Sequence, residues 1–195
     1  MPRKYDEIDP GMYPSDLAEC LDDLGKASGD AHVTFIEGNH EFRLPRYMLN
    51  IAPALNLPGL TPRDLFRVDA RGWRWVPYRR AFSIGPVTFT HDLERAGVNA
   101  VRQAVADLRR SVVIGHLHRM AVHHEGDADG VHLFGACFGW LGDFERLSYR
   151  HRARALREWQ HGFGVIWIDG GRAFPQAIPI VDRVAVVGER RMVAT

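Results

Sequence analysis

The stretch SVVIGHLHR, residues 111–119, decides how the chain reads. Its first four residues form a short β-branched apolar run, the mark of a buried strand. Gly115 follows and lets the backbone turn sharply, and two histidines come next, one residue apart. The plan recurs twice. VTFIEGNHE, residues 33–41, is an apolar strand ending in Gly-Asn-His-Glu, and VTFTHD, residues 87–92, ends in His-Asp. Each is ordinary alone, since Asn-His after a strand is a common turn and His-x-His occurs on surface strands. Three buried strands that all end this way point to a shared polar site, because sites in open α/β sheets form beyond the carboxyl ends of strands.

The flanking sequence supplies helices. From Ser15, read as an N-cap, Leu17, Cys20, Leu21 and Leu24 recur at helical spacing. A second helix is expected from Arg43, near Pro45, to Ala52 before Pro53, and a short one within residues 58–68. Residues 72–85 read as extended, with Trp75 and Tyr78 half-buried. Residues 97–110 read as an amphipathic helix with Val98, Val101, Val105 and Leu108 on its stripe. After Arg119 the pattern becomes strand after strand, with a hairpin turn at Asp169-Gly170-Gly171 and a basic segment at 146–157 between. Alternating strands and helices followed by a run of strands predict an α/β fold whose sheet packs on another sheet.

Composition narrows the function. With 195 residues the chain can bury the core of one domain, expected at 15–195 behind an irregular segment, 1–14. A net charge of +1 gives no bulk electrostatic case for nucleic acid or an anionic membrane. Cys20 and Cys137 form no thiolate metal motif and no disulfide framework, so reduced thiols in the cytoplasm are expected. No run of about 18 apolar residues marks a membrane span. Histidine stands out: five of the ten lie between His91 and His124. If the three strands are parallel neighbours, Asn39, His40, His91, His116 and His118 converge. Imidazole and amide donors suit Mn, Fe, Zn or Ni better than Mg or Ca.

On these residues the chain resembles the calcineurin-like metallophosphoesterases, whose ordered motifs are D-x-H, G-D-x-x-D, G-N-H-[DE], a strand-end His and G-H-x-H. It carries the last three in order: Gly38-Asn39-His40-Glu41, His91 and Gly115-His116-Leu117-His118. Residues 159–182 are also similar to the later strands of phage and bacterial members. The resemblance implies a sandwich of two mixed β-sheets flanked by helices. It also implies hydrolysis of a phosphate monoester or diester with two divalent metal ions, manganese among the candidates. By resemblance, Asn39, His91 and His116 bind one metal and His118 the other, while His40 assists the leaving oxygen. Arg43, Arg46 and Arg119 flank the motifs as candidate substrate contacts, with solvated surface arginines as the alternative. Glu41 is expected to support the turn or the start of the following helix.

Two motifs are absent. Asp30-Ala31-His32 spells D-x-H but precedes its strand, which at about 3.3 Å per residue places it roughly 20 Å from Asn39. Gly142-Asp143 opens a G-D-x-x-D, but Arg146 stands at its second Asp. The first strand-helix-strand unit of the family therefore reads as missing. Truncation at the N-terminus is the favoured expectation; a short one-metal variant and an inactive relative kept for binding are the alternatives. Asp92 either orients the His91 ring or faces solvent. A nuclease using Arg146, Arg150, Arg152, Arg154 and Arg157 is a narrower reading, less favoured than a solvated basic helix face.

Overall fold

The structure is a computed structural model and describes residues 14–51, 59–126, 128–142, 144 and 158–193. The chain forms a mixed α/β protein of two compact units, one ending at Tyr78 and one beginning at Arg79. The expected arginine cluster at 146–157 and the segment 1–13 lie outside the described residues.

In the first unit, helix α1 (Pro14–Ser28) begins one residue before Ser15, so Ser15 lies inside the helix rather than capping it. Of its expected stripe, Leu21 is buried, whereas Cys20 and Leu24 are exposed. The reason is the size of the contact: the core it meets is one small cluster of Leu21, Val68 and Trp73, with Val33, Phe35, Phe66 and Trp75 around it. Strand β1 (Thr34–Ile36) pairs in parallel with β2 (Arg74–Val76), which aligns Phe35 with Trp75 and stacks their rings at 5.2 Å. Helix α2 (Arg43–Ile51) buries no residue. Helix α3 (Pro62–Leu65) is only one turn long. It is held by a capping box in which Thr61 Oγ1 accepts from the Asp64 N–H and Asp64 accepts from the Thr61 N–H. Trp75 and Tyr78 are half-buried as expected.

The second unit is layered. Strands β3 (Ala81–Ile84), β4 (Val87–Thr90), β5 (Ser111–Ile114), β6 (Met120–Gly126) and β7 (His132–Phe138) form one mixed sheet in the order β3-β4-β5-β7-β6. β4, β5 and β7 are parallel; β3 and β6 run against their neighbours. Side chains alternate between faces, as strand geometry requires. Val112, Ile114 and Cys137 point to helix α4 (Ala100–Leu108), where Ala100, Val101, Ala104 and Val105 are buried. Val87, Phe89, Val113, Phe134 and Ala136 point to the other face. There they meet Ile166 and Ala173 of the hairpin β8 (Gly162–Asp169) and β9 (Arg172–Pro179). The hairpin turns at Gly170-Gly171, both at positive φ, as the sequence suggested. A last hairpin pairs β10 (Val184–Val187) with β11 (Arg190–Val193).

Two expectations are corrected. The stripe of α4 is Ala100, Val101, Ala104 and Val105; Val98 is 71% exposed and Leu108 lies at the surface. The helix presses so close to the sheet that only small residues fit beneath it. A Cβ on Gly135 of β7 would stand 2.2 Å from the Val101 carbonyl oxygen. The second layer, among the described residues, is an antiparallel two-stranded hairpin rather than a second mixed sheet.

Gly135→Ala is therefore expected to destabilise the protein by about 1–3 kcal/mol through overpacking, read as a lowered unfolding midpoint in denaturant. Gly25→Ala in α1 meets only an ordinary 3.5 Å contact with Trp73 and is expected to stabilise by about 0.5–1 kcal/mol.

Candidate metal centre

Parallel pairing of β4 with β5 sets Thr90 beside Ile114, so both strands present their next residues at the same end of the sheet. The ladder continues one step further: the Gly115 N–H donates to the Thr90 carbonyl at 3.2 Å. His91 and His116 follow immediately. Gly115 leaves room at this point: a Cβ there would meet His91 Nδ1 at 3.3 Å and the His91 carbonyl oxygen at 3.4 Å, so the His91 ring would have to give by a few tenths of an ångström.

The GHLH segment is held in an unusual backbone. His116 and His118 both have φ of +57°. Non-glycine residues in this left-handed region store strain, which persists where the surroundings impose it. The anchor is Leu117 between them, buried in the α4 cluster, with its N–H 2.5 Å from the Gly115 carbonyl oxygen. The hydrophobic core thus grips the middle residue and turns the two imidazoles away from it.

His91, Asp92 and His116 form a group whose ligand atoms all lie within 4.8 Å of one another. The two rings sit edge to face at 5.4 Å. Asp92 is buried, which removes the solvent-facing alternative. One of its carboxylate oxygens accepts from the Glu94 N–H at 3.0 Å, fixing the side chain. Its place as a third donor in the group was missed from sequence; the signal was its position directly after His91.

His118 stands outside that group. Its ring packs edge-on against Trp159 at 4.1 Å and lies 5.9 Å from Trp140, in an aromatic cluster with Phe144 and His161. Arg119, a candidate substrate contact, is largely covered and forms an ion pair with Glu158. Its Nη2 is engaged by that carboxylate, while its buried Nε has no hydrogen-bond partner among the described residues.

Asn39, His40 and Arg43 belong to the first unit, where β1 pairs with β2 and not with β4 or β5. The Gly38–Phe42 turn is closed by the Phe42 N–H donating to the Gly38 carbonyl. The Glu41 carboxylate accepts from the Gly38 N–H at 2.9 Å, the turn-supporting role expected of it. Asn39 is half-buried and His40 exposed. Arg43 Nη2 lies 3.4 Å from His40 Nε2. Glu37, just before the turn, is buried and accepts from the Tyr78 N–H at 2.8 Å. Burial pushes its carboxyl above the usual range, the nearby Glu41 charge adds to this, and the Tyr78 bond opposes it.

The chain is similar to two mycobacteriophage proteins, each called Gene 54 protein. One, from Mycobacterium phage D29, is 28% identical over 170 residues, covering 80% of this chain and 64% of its own length. The other, from Mycobacterium phage L5, is 28% identical over 164 residues, covering 78% and 63%. The chain thus spans less than two thirds of the length of these relatives. No family model matches the chain, and no solved structure does. Among the described residues, no helix is long and apolar enough to cross a membrane.

A carboxyl whose folded-state pKa is raised costs stability as pH rises from the unfolded value, about 4.3, through the folded one. Glu37→Gln keeps an acceptor for Tyr78 and removes the charge. The variant is expected to match the wild type at low pH and to be the more stable above that window, measured by denaturant unfolding across pH.

Proposed function

We propose that the protein is a metal-dependent phosphoesterase, in keeping with its resemblance to the calcineurin-like metallophosphoesterases and their two-layered sandwich. The observation that carries this reading is the grouping of His91, Asp92 and His116 at the adjoining carboxyl ends of two parallel strands. Two imidazoles and a carboxylate fit one transition-metal ion such as Mn, Fe, Zn or Ni. His91 and His116 would hold it, with Asp92 as a third donor or as the carboxylate that fixes the His91 ring. Bound there, a divalent ion supplies Lewis acidity toward a phosphoryl oxygen and lowers the pKa of a water.

The chain's own residues have separable tasks on this reading. Gly115 keeps the floor of the site open for the His91 ring. Asp92 places a carboxylate oxygen beside the two imidazoles. By resemblance, His118 would serve a second ion. The substrate is a phosphate monoester or diester, and a nucleic acid is not favoured.

A second reading is a non-catalytic module that binds a single metal. It draws support from His118, which is packed among tryptophans outside the ligand group, and from Arg119, which is tied to Glu158.

The purified protein is expected to retain a divalent ion after dialysis and to cleave an activated phosphodiester when Mn is supplied. His91→Ala and His116→Ala are each expected to abolish both, and Asp92→Asn to weaken metal affinity about 10–100-fold. Retention of the ion without turnover of any phosphoester would select the single-metal module. Activity unchanged in His116→Ala would sink the phosphoesterase reading.

A further inference from the structure

Two histidines at the opposite end of the same sheet take no part in the proposed site. His124 lies near the end of β6 and His132 opens β7. Because β7 runs parallel to β5, its first residue lies at the end of the sheet away from His116. Register places His132 directly opposite Gly126, and His124 opposite Phe134, two positions along. The two imidazoles therefore share a face, as diagonal neighbours within reach of long side chains. Gly126 brings no side chain between them, so the His124 ring leans across the vacant position. Its Nδ1 comes to 3.1 Å from His132 Nε2, with the rings 9° from parallel.

We propose that His124 and His132 form a second metal site, which clamps the edge strand β6 to β7 and takes a borderline divalent transition ion such as Zn, Ni or Cu. Spacing is the first argument. Two bonds of about 2.0–2.1 Å to one ion place their nitrogens about 3 Å apart at a right angle, and somewhat further apart at the tetrahedral angle. The observed separation matches that span, and a swing of the two rings about their side-chain torsions aims both nitrogens at one ion.

The existing hydrogen bond between the rings is the second argument. In the metal-free pair one ring donates its N–H to the other. On binding, the metal takes the place of that shared proton, which leaves the nitrogen it occupied. Both residues are exposed, which leaves the other coordination positions to water. Imidazole donors of this kind favour Cu and Ni over Mn, the reverse of what an oxygen-rich site selects. His123 is not a ligand: it is the preceding residue on the strand and so faces the other side of the sheet. The inference does not depend on the phosphoesterase reading.

The test is calorimetric titration of Ni or Zn into the full chain, its His124→Ala and His132→Ala variants, and the His91→Ala/His116→Ala double variant. The double variant is expected to keep one binding event. His124→Ala and His132→Ala are expected to weaken that event on the order of a hundredfold, since a two-point chelate becomes a single contact. Circular dichroism checks that each variant is folded. Should the double variant fail to fold, the rise in thermal midpoint on adding Zn to the wild type is compared with that in His124→Ala; a smaller rise in the variant is expected. Equal affinity and stoichiometry in wild type and His124→Ala, or equal midpoint shifts, would overturn the proposal.

Discussion

The structure of the candidate site depends on one pairing, that of β4 with β5 in parallel. Hydrogen bonding between the Gly115 N–H and the Thr90 carbonyl carries the ladder one residue beyond the strands. That single bond places the residues after Thr90 and after Gly115 next to each other, although they lie 25 positions apart in the chain. An antiparallel pairing would have sent His91 and His116 to opposite ends of the sheet. Parallel pairing in turn requires a crossover, and α4 is that crossover. The closeness of α4 to the sheet depends on Gly135, and the same core takes in Leu117. Core packing and site geometry are therefore one set of contacts: Leu117, between the two GHLH histidines, also helps to close the hydrophobic layer.

The two faces of the sheet divide the work. One face is covered by α4 and the other by the β8–β9 hairpin, so the central strands β4, β5 and β7 are mostly apolar between them. The histidines of the two candidate sites stand at or near strand ends. At one end stand His91, Asp92 and His116; at the other stand His124 and His132. The first group includes a buried carboxylate and suits a more tightly held ion. The second consists of two exposed imidazoles on an edge strand and suits a more exchangeable one.

Much of the fold was legible because local patterns report directly on burial. Short β-branched runs became β1, β4 and β5, and the Gly-Gly turn became the β8–β9 hairpin. Readings of helix faces were weaker. The α4 stripe was sought in its larger residues, but the contact is made by Ala100 and Ala104 together with two valines. Hydrophobicity alone does not reveal how near a helix approaches its sheet; a glycine on a neighbouring strand decides it. In α1, exposed Cys20 and Leu24 keep helical spacing although the core they would join is too small to reach them.

By itself the sequence determined which side chains leave the ends of buried strands, because strand length, glycine and alternation are local properties. It named His91 and His116 as metal donors on that ground. Only the tertiary structure decided which of these residues meet. It set β4 beside β5, paired β1 with β2 in a sheet of its own, and turned His118 among tryptophans. It also buried Asp92 beside the two imidazoles and brought His124 to His132 across a glycine. The physical reason is that pairing partners and register are set by packing over the whole unit, through contacts between residues far apart in the chain.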